Sequence, residues 1–279
     1  MRTALDVLRG RVHVRDVTAP LRRSRGPSPR LEAAAPWLLL SPHMDDAVLS
    51  CWHALAGPQP LVVVNVFTGA PPPGVLTSYD RIAGTRSSAE MMAEREREDR
   101  EALALAGRAP QNLGFPEDQY RRRAPAVDHL LAAFATHCPV AAGVIAPAAI
   151  GGHPDHVLAR AAALAMLARG VPVRLYADLP YCVTYGWPAW VTGTPAVAHL
   201  APEAYWAPAL DPLGGALGEA EVRALDPGAQ KAKLRALRRY ATQYPTLSRG
   251  PLDVLAHPAV LGHELLWTLS GPRGGARTR

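Results

Sequence analysis

Apolar residues fall into two kinds of run along this chain. Residues 37–41 (WLLLS), 61–67 (LVVVNVF), 143–147 (GVIAP) and 173–177 are short and continuous. They read as strands buried on both faces, the second most clearly because it is β-branched. A weaker strand is expected at 112–115. Between them lie stretches of helical composition. These are 45–56, which stops before Gly57-Pro58, and 88–106, which is polar and closed by Gly107. Residues 127–137 are apolar at helical spacing, 155–168 are rich in Ala and Leu and end at Gly170, and 230–243 are basic. Residues 69–87, with three consecutive prolines, read as a long loop. Residues 181–226, rich in Pro, Gly and Trp, read as an irregular segment that frames a pocket. Residues 1–35 are polar and basic, with a short strand at 12–17, and predict a loosely packed arm. Residues 36–279 predict a single domain.

Strands alternating with helices predict an α/β fold: an open, mostly parallel sheet with helices on both faces. Ligands of such sheets bind beyond the carboxyl ends of the strands, where the strand order reverses. That directs attention to the segments after the first and fourth strands. The first reads Ser41-Pro42-His43-Met44-Asp45-Asp46, the second Gly151-Gly152-His153-Pro154-Asp155-His156. Together they hold three imidazoles and three carboxylates, the ligand types zinc takes in catalytic sites.

Spacing alone is weak evidence. With 10 His and 13 Asp, about 0.5 His-x-x-Asp matches are expected by chance. A second match, His13-Val14-Arg15-Asp16, falls in the expected N-terminal strand. There, residues three apart point to opposite faces and cannot share one ion. The segments at 43–46 and 153–156 sit where chain turns into helix, so positions three apart can converge. A simpler reading also exists: Asp45 and Asp46 would cap the following helix, and either histidine of the second segment would be a satisfied polar residue.

Composition narrows the class. The 279 residues are 48% hydrophobic and 19% charged, which is globular rather than disordered. No apolar run reaches the roughly 20 residues of a membrane span. The N-terminus lacks an apolar stretch of signal-peptide length, so a cytoplasmic location is expected. Three cysteines, Cys51, Cys138 and Cys182, form no framework and read as packed free thiols. The net charge of +6 suggests nucleic acid at first sight. However, the basic clusters (22–25, Arg121-Arg122-Arg123 and 231–239) have no interleaved aromatics, so they read as solvated surface and no nucleic-acid partner is expected.

At the two histidine segments the chain resembles the LmbE-like or PIG-L deacetylase family. His153-Pro154-Asp155-His156 matches that family's HPDH motif, and Pro42-His43-Met44-Asp45-Asp46-Ala47 is similar to its Pro-His-Pro-Asp-Asp-Glu run. Arg95-x-x-Glu98-Asp99, the segment 113–118 (LGFPED), and Tyr240 with Gln243 are weaker matches. The resemblance covers about residues 37–245. It implies a Rossmann-like fold and a zinc-dependent hydrolase that removes an acyl group from the amine of an N-acetylated amino-sugar conjugate. Carried over by position, His43, Asp46 and His156 bind one zinc per chain. Asp45 is the general base. His153 stabilises the tetrahedral intermediate and protonates the leaving amine, with Asp155 orienting it. Arg95 and Asp118 contact substrate.

Two departures stand out. Ala47 replaces the motif's usual glutamate. Gly151-Gly152 stands where some relatives have a tyrosine that aids the substrate carbonyl, so any such aid comes from another residue. Tyr181, Tyr185, Trp187 and Trp190 are candidates to stack on a sugar, or else to pack under the loops. Other readings stay open at this point: an amidase or esterase of a non-sugar substrate, a basic nucleic-acid-binding protein, iron or another divalent ion in place of zinc, and a homo-oligomer.

Overall fold

The structure is a computed structural model, and it describes residues 35–193, 201–243 and 258–270. The expected arm at 1–35, with its 12–17 strand and His13–Asp16 pair, lies outside the described residues apart from its last position. Seven strands form one sheet: β1 (Trp37–Ser41), β2 (Leu61–Gly69), β3 (Pro110–Pro116), β4 (Gly143–Pro147), β5 (Val173–Tyr176), β6 (Leu217–Ala224) and β7 (His263–Leu269). Their order is β3-β2-β1-β4-β5-β7-β6. The first five are parallel, whereas β7 runs antiparallel to β5 and to β6. Leu38 and Leu39 of β1 pair with Val62 and Val63 on one side and Val144 and Ile145 on the other. All of β4 and most of β1 are buried, as continuous apolar strands covered on both faces must be.

The chain leaves β1 toward β2 and β3, then crosses back to β4 and β5 on the opposite side. The order therefore reverses between β1 and β4. Right-handed crossovers place the connecting helices on opposite faces of the sheet. One group is α1 (Asp46–Ser50), α2 (Trp52–Ala56) and α4 (Ser88–Ala104). The other is α5 (Val127–His137) and α6 (Pro154–Ala168), which pack on each other. A short helix, α3 (Ser78–Ile82), precedes α4 in the chain. Two segments that leave β1 and β4 in opposite directions open a crevice at the strand ends between them.

Several elements depart from the sequence expectation. The helix expected at 45–56 is broken at Cys51. The cause is distant in sequence: the Glu264 carboxylate accepts the backbone N–H groups of Trp52 (2.7 Å) and His53 (2.9 Å), which starts a new helix there. Glu264 also pairs with buried Lys233 at 2.7 Å. The loop at 69–87 contains α3, whose Thr77 hydroxyl accepts from the Asp80 N–H. Residues 181–226 are not irregular throughout, because they hold α7 (Ala189–Thr192), α8 (Pro202–Leu210) and the strand β6. Strand β7 was not expected. The basic helix runs as α9 (Pro227–Leu237) and ends early. Beyond it, Tyr240 donates to Asp99 (2.8 Å), and Thr242 donates to Glu98 through its N–H (2.9 Å) and its hydroxyl (2.6 Å). These contacts draw the chain onto α4.

The aromatic candidates divide. Trp187, Trp190 and Trp267 stand edge-on around buried Trp206 at 5.9–6.1 Å, which makes them part of the core. The three cysteines are buried and free. Among the described residues no helix is long and apolar enough to cross a membrane.

Two stability outcomes follow. Glu264→Ala leaves the Lys233 cation buried without its partner, and urea unfolding should show a loss of about 3–5 kcal/mol. Burial pushes the Asp99 carboxyl up to about 6 against its hydrogen bonds from Tyr240 and Asn65. The folded chain then holds a proton that the unfolded chain releases near pH 4, so Asp99 costs stability as pH rises from about 4 to 6. The loss is on the order of 3 kcal/mol. Relative to Asp99→Asn, the wild-type chain should weaken across that window, and a flat difference would disprove the raised carboxyl.

Candidate metal centre

The loop after β1 is shaped by its own polar groups. The Ser41 hydroxyl donates to the His43 carbonyl (2.6 Å) and accepts from the Ala47 N–H (3.0 Å). The Asp46 Oδ2 accepts the His43 N–H at 2.8 Å. Gln243 donates to the Met44 carbonyl at 2.8 Å from the far end of the chain. After β4 the backbone turns through Gly151 (φ +88°) and Gly152 (φ +72°), conformations that side chains resist. A Cβ at Gly151 would also lie 2.9 Å from Tyr181 and Tyr205. The turn delivers His153 as the N-cap of α6 and buries Asp155 and His156 in its first turn.

These segments meet. Asp46 Oδ2 lies 3.3 Å from His43 Nδ1 and 3.3 Å from His156 Nε2. About 3.3 Å is the edge of a tetrahedron with bonds of ~2.0–2.1 Å, the lengths zinc makes to nitrogen and oxygen. His156 Nε2 is buried and has no hydrogen-bond partner. Together with His43 and Asp46 it forms a donor group that could hold a divalent ion. A second group, His43, His153 and Asp155, also brings its donor atoms close together.

Each of the two histidines in the triangle turns its other nitrogen to a carboxylate. His156 Nδ1 lies 2.7 Å from Asp178, and His43 Nε2 lies 2.9 Å from Asp155. Such partners fix the tautomer and orient a metal-binding ring. Asp178 was missed from the sequence, although it stands two residues beyond the end of β5, on the same sheet edge. The role expected for Asp155 changes. Its carboxylate faces His43 at 2.9 Å, and its hydrogen bond to His153 comes from the backbone N–H, which donates to Nδ1 at 3.2 Å.

The adjacent aspartates behave oppositely. Burial works against ionising Asp46, but His156 and His43 outweigh it and hold the carboxyl well below its usual range. Asp45 is pushed up to about 7 by burial and by the neighbouring charge of Asp46. Burial and the nearby His43 and His156 push His153 down to about 4. Burial also opposes charging His156, yet Asp46 and Asp178 raise it to about 9.

A pocket of about 610 Å³ opens over the group, lined by Asp45, His153 and Tyr181 among others. Arg95 and Asp118 also line it. Arg95 is buried, bonded to Glu117 at 3.0 Å and set over the Tyr79 ring. Of the four aromatic candidates, Tyr181 reaches the pocket. Its ring packs against His153 and His156, beside Gly151. Ala47 is buried in the core, so no polar side chain stands at that motif position.

The raised His156 means a metal must displace a proton, so uptake should release acid and strengthen as pH rises. Asp178→Asn should weaken divalent-metal binding about 10- to 100-fold in a chelator competition. Unchanged affinity would show that Asp178 does not support the ligand.

Residues 38–167 match the family described as PIG-L: GlcNAc-PI de-N-acetylase. A 2'-N-acetylparomamine deacetylase of Streptomyces fradiae is 34% identical over 163 residues, covering 52% of this chain and 57% of that protein. The chain thus spans little more than half of that curated relative. A deacetylase triple mutant from the teicoplanin biosynthetic pathway is 29% identical, with TM-score 0.66 over 86% of this chain and 99% of that one. The zinc-inhibited form of a teicoplanin deacetylase is 26% identical, with TM-score 0.64 over the same shares. Both histidine loops lie inside residues 38–167, the part of the chain that matches the PIG-L family.

Proposed function

We propose that this chain is a metal-dependent hydrolase that removes an acetyl or other acyl group from the amine of an N-acylated amino sugar or its conjugate. Zinc is the ion proposed, held by His43, Asp46 and His156. The observation that carries the reading is the 3.3 Å spacing of Asp46 Oδ2 from one nitrogen of each histidine, beside a second carboxylate, Asp45, that lines the pocket. The relative named for deacetylating 2'-N-acetylparomamine supports an N-acetylated amine as substrate. A bound divalent ion supplies Lewis acidity toward water and an amide carbonyl.

The chain's own residues divide the proton work. Asp45, with a carboxyl near 7, is matched to neutral pH and accepts a proton from water as general base. The same group can pass that proton to the departing nitrogen, which leaves poorly as an amide anion. His153 is neutral at pH 7, and its Nδ1 already accepts the Asp155 N–H. Its own proton is therefore on Nε2. In that tautomer it donates to the developing oxyanion without carrying charge. This departs from the expectation that His153 protonates the leaving amine and gives that step to Asp45. Arg95 and Asp118 are proposed to contact the sugar from the pocket wall.

Asp45→Asn should lower kcat about 10²- to 10⁴-fold while keeping its metal. His153→Ala should cost about 10²- to 10³-fold. Acetate release across a panel of N-acetyl amino sugars, simple amides and esters tests the substrate class. Turnover of the amides or esters alone would favour a non-sugar amidase or esterase, and full activity in Asp45→Asn would reject the assigned base.

A further inference from the structure

Three consecutive arginines follow the turn at Asp118–Tyr120. Arg122 and Arg123 are exposed, as expected of solvated basic surface. Arg121 is not, because its side chain is only 6% exposed. A guanidinium so enclosed is costly unless its partners are good. Arg121 Nη1 donates to the Pro116 carbonyl at 2.8 Å and forms an ion pair with Asp155 Oδ1. Its plane stacks over the Phe67 ring at 4.8 Å. Nη2 lies 3.6 Å from the Asp118 carboxylate.

The other Asp155 oxygen is engaged too. Oδ2 faces His43 Nε2 at 2.9 Å and accepts the Asp118 N–H at 3.0 Å. Oδ2 is thus held by two hydrogen-bonding groups, and Oδ1 faces the Arg121 cation alone. Arg121 itself does not line the pocket. We infer that Arg121 is a positioning residue for the metal centre, clamping Asp155 so that Asp155 presents His43 Nδ1 to the ion. This rests on the metal site proposed above.

The chemistry favours arginine over lysine here. Nη1 meets the Asp155 carboxylate and the Pro116 carbonyl together, Nη2 faces Asp118, and the guanidinium face packs on the Phe67 ring. An ammonium is a point charge without that reach. Without the clamp, Asp155 could swing and His43 could rotate. The outer partners of metal ligands are worth about 10- to 100-fold in affinity.

The test measures zinc affinity by chelator competition, together with the visible absorption of the cobalt-loaded chain, which reports ligand geometry. The set is wild type, Arg121→Met, Arg121→Lys and the exposed-neighbour control Arg122→Met. Arg121→Met should bind zinc about tenfold more weakly with altered cobalt bands. Arg121→Lys should recover part of the loss, and Arg122→Met should match wild type. Combining Arg121→Met with Asp155→Asn should add little to the Asp155→Asn loss, since both act through one carboxylate. If Arg121→Met keeps wild-type affinity and spectrum, the inference is overturned. Should Arg121→Met not fold, Arg121→Lys decides on the same readouts, because an ammonium keeps the charge but loses the second nitrogen facing Asp118 and the stacking on Phe67. A wild-type chain that binds no divalent metal would remove the metal reading itself. Normal wild-type binding with an indifferent Arg121→Met would remove only the part given to Arg121.

Discussion

One carboxylate oxygen joins the two halves of this protein. Asp46 Oδ2 shapes its own loop by accepting the His43 N–H, and it lies equally close to one nitrogen each of His43 and His156. An anion placed there, away from water, is tolerable only because it faces two imidazoles and a backbone donor. The reverse also holds, since those imidazoles need either protons or a metal to balance the anion. The site is a charge-balance problem set in advance, and a divalent cation is its economical solution.

The surroundings serve that oxygen. Asp178 and Asp155 hold the two histidines from behind, and Arg121 holds Asp155. Farther out, the late part of the chain locks the early part in place. Glu264 breaks the helix after the first motif and pairs with Lys233. Tyr240 and Thr242 anchor to α4, and Gln243 fixes the Met44 carbonyl. These are buried polar contacts between residues far apart in sequence. Each restricts the geometry of the loop more than it adds to net stability.

Two neighbouring aspartates then take different parts. Asp46 faces two imidazoles and a backbone N–H, which hold its carboxyl well below the usual range. Asp45 sits beside that anion in a poorly hydrated wall and holds its proton to near neutral pH. Pairs of carboxylates whose surroundings push them apart in this way are how one site supplies both a fixed charge and a mobile proton. Burial and the nearby His43 and His156 push His153 down to about 4.

The parallel core, the two histidine segments and their location at the strand ends were legible in the sequence. Continuous β-branched runs, helix stops and the parallel-sheet rule are local signals or follow directly from them. Alternation in β6 and the Thr-x-x-Asp cap of α3 were present but overlooked among prolines and glycines. The break at Cys51, the early end of α9 and the pairing of β7 were not readable locally, because their causes are side chains or strands a long way off in the chain. The same division runs through the site. The sequence by itself determined which residues could ligate and which could act as acid or base. Only the tertiary structure decided that Asp155 serves His43, that Asp178 serves His156, that Tyr181 stands beside Gly151 and that one arginine of three is buried. Partner choice among like groups depends on distances of a few ångströms between chain segments, and spacing along a sequence carries no such distances.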